Sequence, residues 1–198
     1  MPDTADPQPL PGRACGSCNV CCVALTIDDP ALRKVQGYRC PNTLPDHGCA
    51  IYESRPNACR SFFCGWRLLK WVPETLRPDT SGVLVGLTHE GADAQGQPRR
   101  GVTFTLLSGQ ALKAEGLAET VAAAVAAGIA VYLRVPGPPG YTSSTARIND
   151  VLAHAVLTRD KPGVLRVLRE ARARGRRGAH RPILLDGAVG ARDADPTG

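Results

Sequence analysis

Eight cysteines fall between Cys15 and Cys64 of a 198-residue chain, a 50-residue window in which even scattering would place about two. Cys15, Cys18, Cys21, Cys22, Cys40, Cys49, Cys59 and Cys64 give the spacing C-x2-C-x2-C-C-x17-C-x8-C-x9-C-x4-C. A C-x2-C step lets two thiolates converge on one ion, about 2.3 Å from each sulfur, because the intervening residues form a tight knuckle. Gly16 and Ser17 suit that turn. Cys21 and Cys22 differ, since neighbouring side chains on an extended chain point to opposite sides. That pair is expected to serve different ions, or one ligates while the other packs. In number, eight thiols match two closed four-thiolate sites, or one four-thiolate cluster plus extra sulfurs. His47, in Asp46-His47-Gly48-Cys49, is a further candidate ligand, although a lone loop histidine is more often solvated. His89, His154 and His180 stand far from the segment and form no motif with one another.

The compartment decides what such thiols do. The first twelve residues carry no basic start and no apolar stretch, so no secretory signal is expected. The longest uncharged, mostly apolar run, Thr120 to Leu133, is 14 residues, whereas a membrane-spanning helix needs about 20. A cytoplasmic chain without a membrane anchor is therefore expected. Its thiols stay reduced, which makes clustered cysteines metal ligands or redox groups rather than structural disulfides.

The elements that must position these thiols follow from pattern. Residues 1–14 hold four prolines and are expected to be a flexible lead-in. Residues 15–72 form a cysteine-cluster module, in which Val23, Leu25 and Ile27 alternate as in a short strand. Asp29, Pro30 and Gly37 then fit the cap, first turn and end of a helix. Cys40 to Cys49 reads as a loop, Ala50-Ile51-Tyr52 as an extended piece, and Ser54 as the cap of a helix carrying Cys59, Phe62 and Phe63. Residues 73–185 change character: strands over 83–88, 102–107 and 129–135, a hairpin loop over 91–97, and helices over 110–127, 149–158 and 163–174 are expected. Residues 186–198 are expected to be a flexible tail. The fold class is α+β, a small metal-organised cysteine module followed by an α+β region with a short, largely antiparallel sheet and several helices.

Energetics make the metal structural. A segment of this size gains roughly 3–5 kcal/mol from a hydrophobic core of its own, whereas a structural zinc contributes on the order of 10–16 kcal/mol. Each centre of one dication and four thiolates carries about −2, as does an oxidised four-iron cluster, so charge does not tell zinc from iron. Arg13, Arg33, Lys34, Arg39, Arg55 and Arg60 are near enough in sequence to offset such charge.

Four blocks together carry a resemblance: Cys15-Gly16-Ser17-Cys18-Asn19-Val20-Cys21-Cys22, then Cys40, then Cys49-Ala50-Ile51-Tyr52-Glu53-Ser54-Arg55-Pro56, then Cys59-Arg60-Ser61-Phe62-Phe63-Cys64. This segment resembles the CxxCxxCC family of zinc- or iron-chelating proteins, also called YkgJ-like cysteine-cluster proteins. The likeness covers about a quarter of the chain. It implies metal chelation by these eight positions, with zinc or iron as the metal, and little about biochemical role.

Two other function classes compete. C-x2-C-x2-C opens like a bacterial ferredoxin pattern and Cys40-Pro41 is like its end, which would make an iron–sulfur redox protein or enzyme; the 17-residue gap after Cys22 departs from that pattern. No phosphate loop, dinucleotide glycine pattern or H-E-x-x-H is present, and no catalytic residue is assigned. The second class is nucleic-acid binding. The chain has a net charge of +6, and between Arg159 and Arg181 nine basic residues face two acids, a net +7 that accounts for the whole surplus. The plainer reading is the solvated face of a helix whose other side is Val164, Leu165, Val167 and Leu168. Six of the nine aromatics lie between Tyr38 and Trp71, away from the basic run, and Trp66 and Trp71 are expected to join the cysteine module to the rest.

Overall fold

Alternating apolar residues in the second half of the chain build one face of a sheet, and that face sets the position of everything else. The computed structural model of the chain describes residues 8–45, 48–92 and 98–190. In chain order the elements are α1 (Val20–Ala24), β1 (Ile27–Asp29), β2 (Leu32–Lys34), α2 (Asn57–Ser61), α3 (Gly65–Leu68), α4 (Pro78–Ser81), β3 (Val83–Ala92), β4 (Pro98–Leu106), α5 (Leu117–Ala126), β5 (Ala130–Val135), β6 (Ser144–Arg147), α6 (Asn149–Leu157) and α7 (Lys161–Arg177), with 3-10 turns at Glu74–Leu76 and Gln110–Lys113. The fold is α+β.

The larger sheet runs β3-β4-β5-β6. β3 with β4 and β5 with β6 pair antiparallel, while β4 and β5 run parallel, the crossover passing through α5. The register sets Val85 opposite Phe104 and Phe104 opposite Leu133, so one row of apolar side chains crosses three strands. Leu117 and Val121 of α5, Leu152 of α6, and Val164 and Leu168 of α7 close over that row in a single core. Asn149 fastens α6 to the sheet, its Oδ1 accepting from Val131 N–H at 2.8 Å and its Nδ2 donating to Ile129 C=O at 2.7 Å. Asp160 caps α7 by accepting from Gly163 N–H at 2.9 Å, so this helix begins two residues before Gly163 and runs on to Arg177. No helix among the described residues is long and apolar enough to cross a membrane.

The cysteine half departs from its expected elements. The expected strand from Val23 to Ile27 is instead the short helix α1, and strand begins only at Ile27. The expected helix from Asp29 is a hairpin of β1 and β2. Pro30 and Ala31 form its turn, closed by Asp29 Oδ1 accepting from Ala31 N–H at 3.0 Å, a local Asx bond that competes with helix at such residues. The other carboxylate oxygen, Oδ2, accepts from Ala58 N–H at 3.0 Å, so Asp29 caps a helix after all, but the distant α2. Ala50 to Tyr52 is a run of turns rather than an extended piece. Pro56, not Ser54, stands at the N-cap of α2, which ends at Ser61 before Phe62 and Phe63. The long helix expected over 110–127 is broken at Gly116, whose left-handed backbone separates a 3-10 turn from α5. Strand β6 and helices α3 and α4 were not foreseen; each is four residues, too short to show a period. Residues 93–97 of the expected hairpin loop lie outside the described residues.

Several contacts among the described residues join the halves, four of them central. Trp66 is buried in the main core, whereas Trp71, expected to share that role, is 40% exposed. The strand-like residues 34 and 189 pair parallel, with Val35 N–H donating to Val189 C=O and Val189 N–H to Arg33 C=O, so chain expected to be tail is laid against β2 as far as Val189. Gln36 is buried and ties β2 to the other half through Tyr141 C=O and through Ser143 Oγ at 2.7 Å. α3 sits directly on β3: a Cβ on Gly65 would stand 2.5 Å from Val85 Cγ1. Gly65→Ala should therefore lower stability by about 1–3 kcal/mol through overpacking, against the roughly 1 kcal/mol that alanine gains in an open helix. Urea unfolding decides this, since an unchanged or raised midpoint means that α3 is not seated on the strand.

Candidate metal centre

Every one of the eight cysteines lines a single cavity of about 190 Å3. All eight are unbridged; Cys40 is buried and the other seven are half-buried. Apolar side chains, among them Leu25, Ile27, Leu32, Phe62 and Leu84, supply much of the remaining wall. His47 and its neighbour Asp46 lie outside the described residues. Among the described residues, no three Cys, His, Asp or Glu side chains stand ready-arranged as a metal-binding group.

Local backbone aims the sulfurs inward. Cys18 N–H donates to Cys15 C=O at 2.9 Å, closing the expected knuckle, with Gly16 at φ 53° taking the left-handed turn that other residues resist. Cys21 and Cys22 sit together on α1, where successive side chains are turned by about 100° rather than 180°. Both thus reach the cavity, contrary to the opposite-sides expectation for an extended chain, and a hydrogen bond between their thiols raises the pKa of Cys21 and lowers that of Cys22. Cys40 N–H donates to Cys22 C=O at 3.0 Å, which brings the loop back beside α1. Thr43 binds that loop on both sides, its N–H donating to Cys40 C=O and its backbone bridging to Cys49. Cys59 rides on α2, held by Asp29, and Cys64 stands at the N-cap of α3.

Three of the thiols share an electrostatic device. The backbone N–H of Val20 faces the Cys18 sulfur, that of Asn42 faces Cys40, and those of Trp66 and Arg67 face Cys64, each lowering the thiol's pKa. Donors two residues beyond a cysteine stabilise its thiolate form. Burial opposes them and is the larger effect, so the pKa values of Cys18, Cys40, Cys59 and Cys64 all stand above the usual thiol value. Ionising this set needs positive charge in or beside the cavity.

Some of that charge is built in. Lys34 is fully buried, and its ammonium donates to Leu25 C=O and, at 3.4 Å, to Val23 C=O. Burial lowers its pKa, and the charges it feels in return are Cys40, Cys22, Cys21 and Cys59. Arg55 acts on Cys22 and Cys59. Arg67 donates to Cys15 Sγ at 3.5 Å and acts on Cys64. Of the six cations expected beside the centre, Lys34 and Arg55 stand within electrostatic reach of thiols, Arg55 while donating to Tyr52 C=O at 2.8 Å, and Arg60 acts on Asp29. Arg13 is taken by Glu74, Trp66 C=O and Leu69 C=O, Arg33 by Asp28 and Asp186 C=O, and Arg39 by Leu44 C=O. Arg67 escaped the sequence reading, though its place three residues after Cys64 was a usable signal.

The basic helix stands apart from this cavity. α7 buries Val164, Leu168, Ala171 and Gly175 and exposes Arg166, Arg169, Arg174, Arg176 and Arg177. Compared with protein-family models, curated proteins and solved structures, the chain matches none of them.

Arg13 holds the segment that carries Cys15 and Cys18 in place. Its guanidinium donates to Trp66 C=O at 2.5 Å and pairs with Glu74 at 2.6 Å, while Leu10 N–H donates to Arg67 C=O and Arg13 C=O accepts from Arg67 Nε. Residues 10–13, near the end of the expected lead-in, are thus bound to α3. Arg13→Ala should cost about 1.5–3 kcal/mol, the range for bonds to a charged donor. Mass-spectrometric alkylation rates on the reduced protein should rise for Cys15 and Cys18 and stay level for Cys40 and Cys49.

Proposed function

We propose that this protein is a metal-chelating protein whose cysteine module holds zinc or iron, the latter as an iron–sulfur centre. The observation that carries this reading is the convergence of all eight unbridged thiols on one cavity. Four blocks of sequence spread over 50 residues would have no reason to meet there as inert packing, because apolar side chains fill a core without the cost of buried ionisable groups. The donor set is all sulfur, which suits zinc or an iron–sulfur cluster over the hard cations. Lys34 supports the same reading. Its buried ammonium, held by Leu25 and Val23 C=O, feels Cys40, Cys22, Cys21 and Cys59, and a group of four thiolates around a dication would complete its compensation. A bound ion supplies folding free energy to a segment whose α1, β1, β2, α2 and α3 are each three to five residues long.

Elemental analysis of protein purified anaerobically without added metal tests the reading. Zinc or iron should be present at one equivalent or more per chain, with most thiols titrating only after denaturation in chelator. An absorption band in the visible separates an iron–sulfur centre from zinc. Metal-free protein with eight freely titrating thiols overturns the proposal. Cys18→Ser should release metal and loosen residues 15–64, because one missing thiolate opens a closed site; full metal content in that variant removes Cys18 from the ligand set. His47→Ala should be mild.

Lys34→Met gives a test of sign. In reduced, metal-free protein the substitution should be neutral or stabilising, since it replaces a buried charge among protonated thiols by an apolar side chain. In metal-loaded protein it should weaken metal affinity by roughly tenfold, equivalent to about 1.4 kcal/mol. Competition with a chromophoric chelator reads the second effect and thermal unfolding of the metal-free form the first.

A further inference from the structure

We propose that the eight thiols form two separate four-thiolate sites, Cys15, Cys18, Cys21 and Cys64 holding one ion or cluster and Cys22, Cys40, Cys49 and Cys59 holding another; this rests on the chelation reading above. The sequence leaves open which thiols share a site, asking only that Cys21 and Cys22 serve different ions or that one ligates while the other packs. The fold separates them.

Backbone geometry makes the division. The first set is assembled from the knuckle closed by Cys18 N–H and Cys15 C=O, from Cys21 on α1, and from Cys64 at the head of α3. Arg67 joins the ends of that set, since it lies in the turn begun by Cys64 and donates to Cys15 Sγ. The second set is assembled around Cys22. The Cys40 amide bonds to Cys22 C=O, Thr43 ties Cys40 to Cys49, and α2 presents Cys59. The hand-over falls between Cys21 and Cys22, consecutive residues of α1.

The cations divide along the same line. Each set has its own cation, Arg67 for the first and Arg55 for the second, with Lys34 directed mainly at the second. Two centres of about −2 each are the charge that this arrangement offsets, and either a dication or a four-iron cluster takes four thiolates.

Cadmium-113 bound to the reduced full-length protein is the probe. Saturation should come at two equivalents, with two resonances in the all-sulfur range. Through-bond couplings to cysteine β protons should assign one resonance to Cys15, Cys18, Cys21 and Cys64 and the other to Cys22, Cys40, Cys49 and Cys59. In parallel, zinc-loaded Cys64→Ser and Cys59→Ser should each retain one equivalent instead of two. Alkylation should then label Cys15, Cys18 and Cys21 in the first variant and Cys22, Cys40 and Cys49 in the second. One equivalent at saturation, couplings that mix the sets, or loss of both ions from either variant while the wild type holds two overturns the partition alone. Failure of the wild type to take up either metal overturns the chelation reading, and the partition with it.

Discussion

Repulsion between sulfurs is the constraint around which the first third of the chain is arranged. A buried thiol resists ionisation, and a neighbouring thiolate makes it resist further. Sulfurs gathered at one cavity therefore stay protonated unless positive charge is placed among them. The structure meets this with amides aimed at Cys18, Cys40 and Cys64, with the guanidinium groups of Arg55 and Arg67, and with the enclosed ammonium of Lys34. Each is a partial answer. Burial still outweighs the amides at all three sulfurs, and a bound cation, as proposed, would offset it.

The larger sheet acts as the foundation for this arrangement. Its apolar face is closed by α5, α6 and α7, with Trp66 from the cysteine module completing the same core. The module is then fastened at a few defined places. Gly65 allows α3 to lie on Val85, Trp66 enters the main core, and Gln36 and Val189 hold β2 from the other side. Short elements that could not persist alone are thereby carried by contact with the main core. Cys64 benefits most directly, since the residue that follows it is the one pressed against the sheet.

Asp29 shows how local and distant demands combine in such a module. A residue at the head of Asp-Pro has the chemistry of a helix cap, and its carboxylate does cap, but across 29 residues to Ala58 rather than along its own chain. Its second oxygen closes the hairpin turn at Ala31. One side chain so fixes β1, β2 and α2 together, and with them the direction from which Cys59 enters the cavity.

Residue type and spacing alone were enough to identify the eight thiols, the knuckle at Cys15 and Cys18, the α+β class, and the strands and helices from Val83 onward apart from β6 and the break at Gly116. Those depend on short-range geometry and on periodicity, which a long enough element displays. The cysteine module was legible in composition but not in form. α1, the β1–β2 hairpin and the turns at 50–54 are too short to carry a period, and Asp29 and Pro30 serve helix starts and hairpin turns equally well. Which thiols are neighbours, and which cations face them, only the tertiary structure decided. Cys22 meets Cys40 through a backbone bond across 18 residues, and Lys34 is enclosed because β2 is covered from both sides, facts that arise from packing between segments rather than from any one of them.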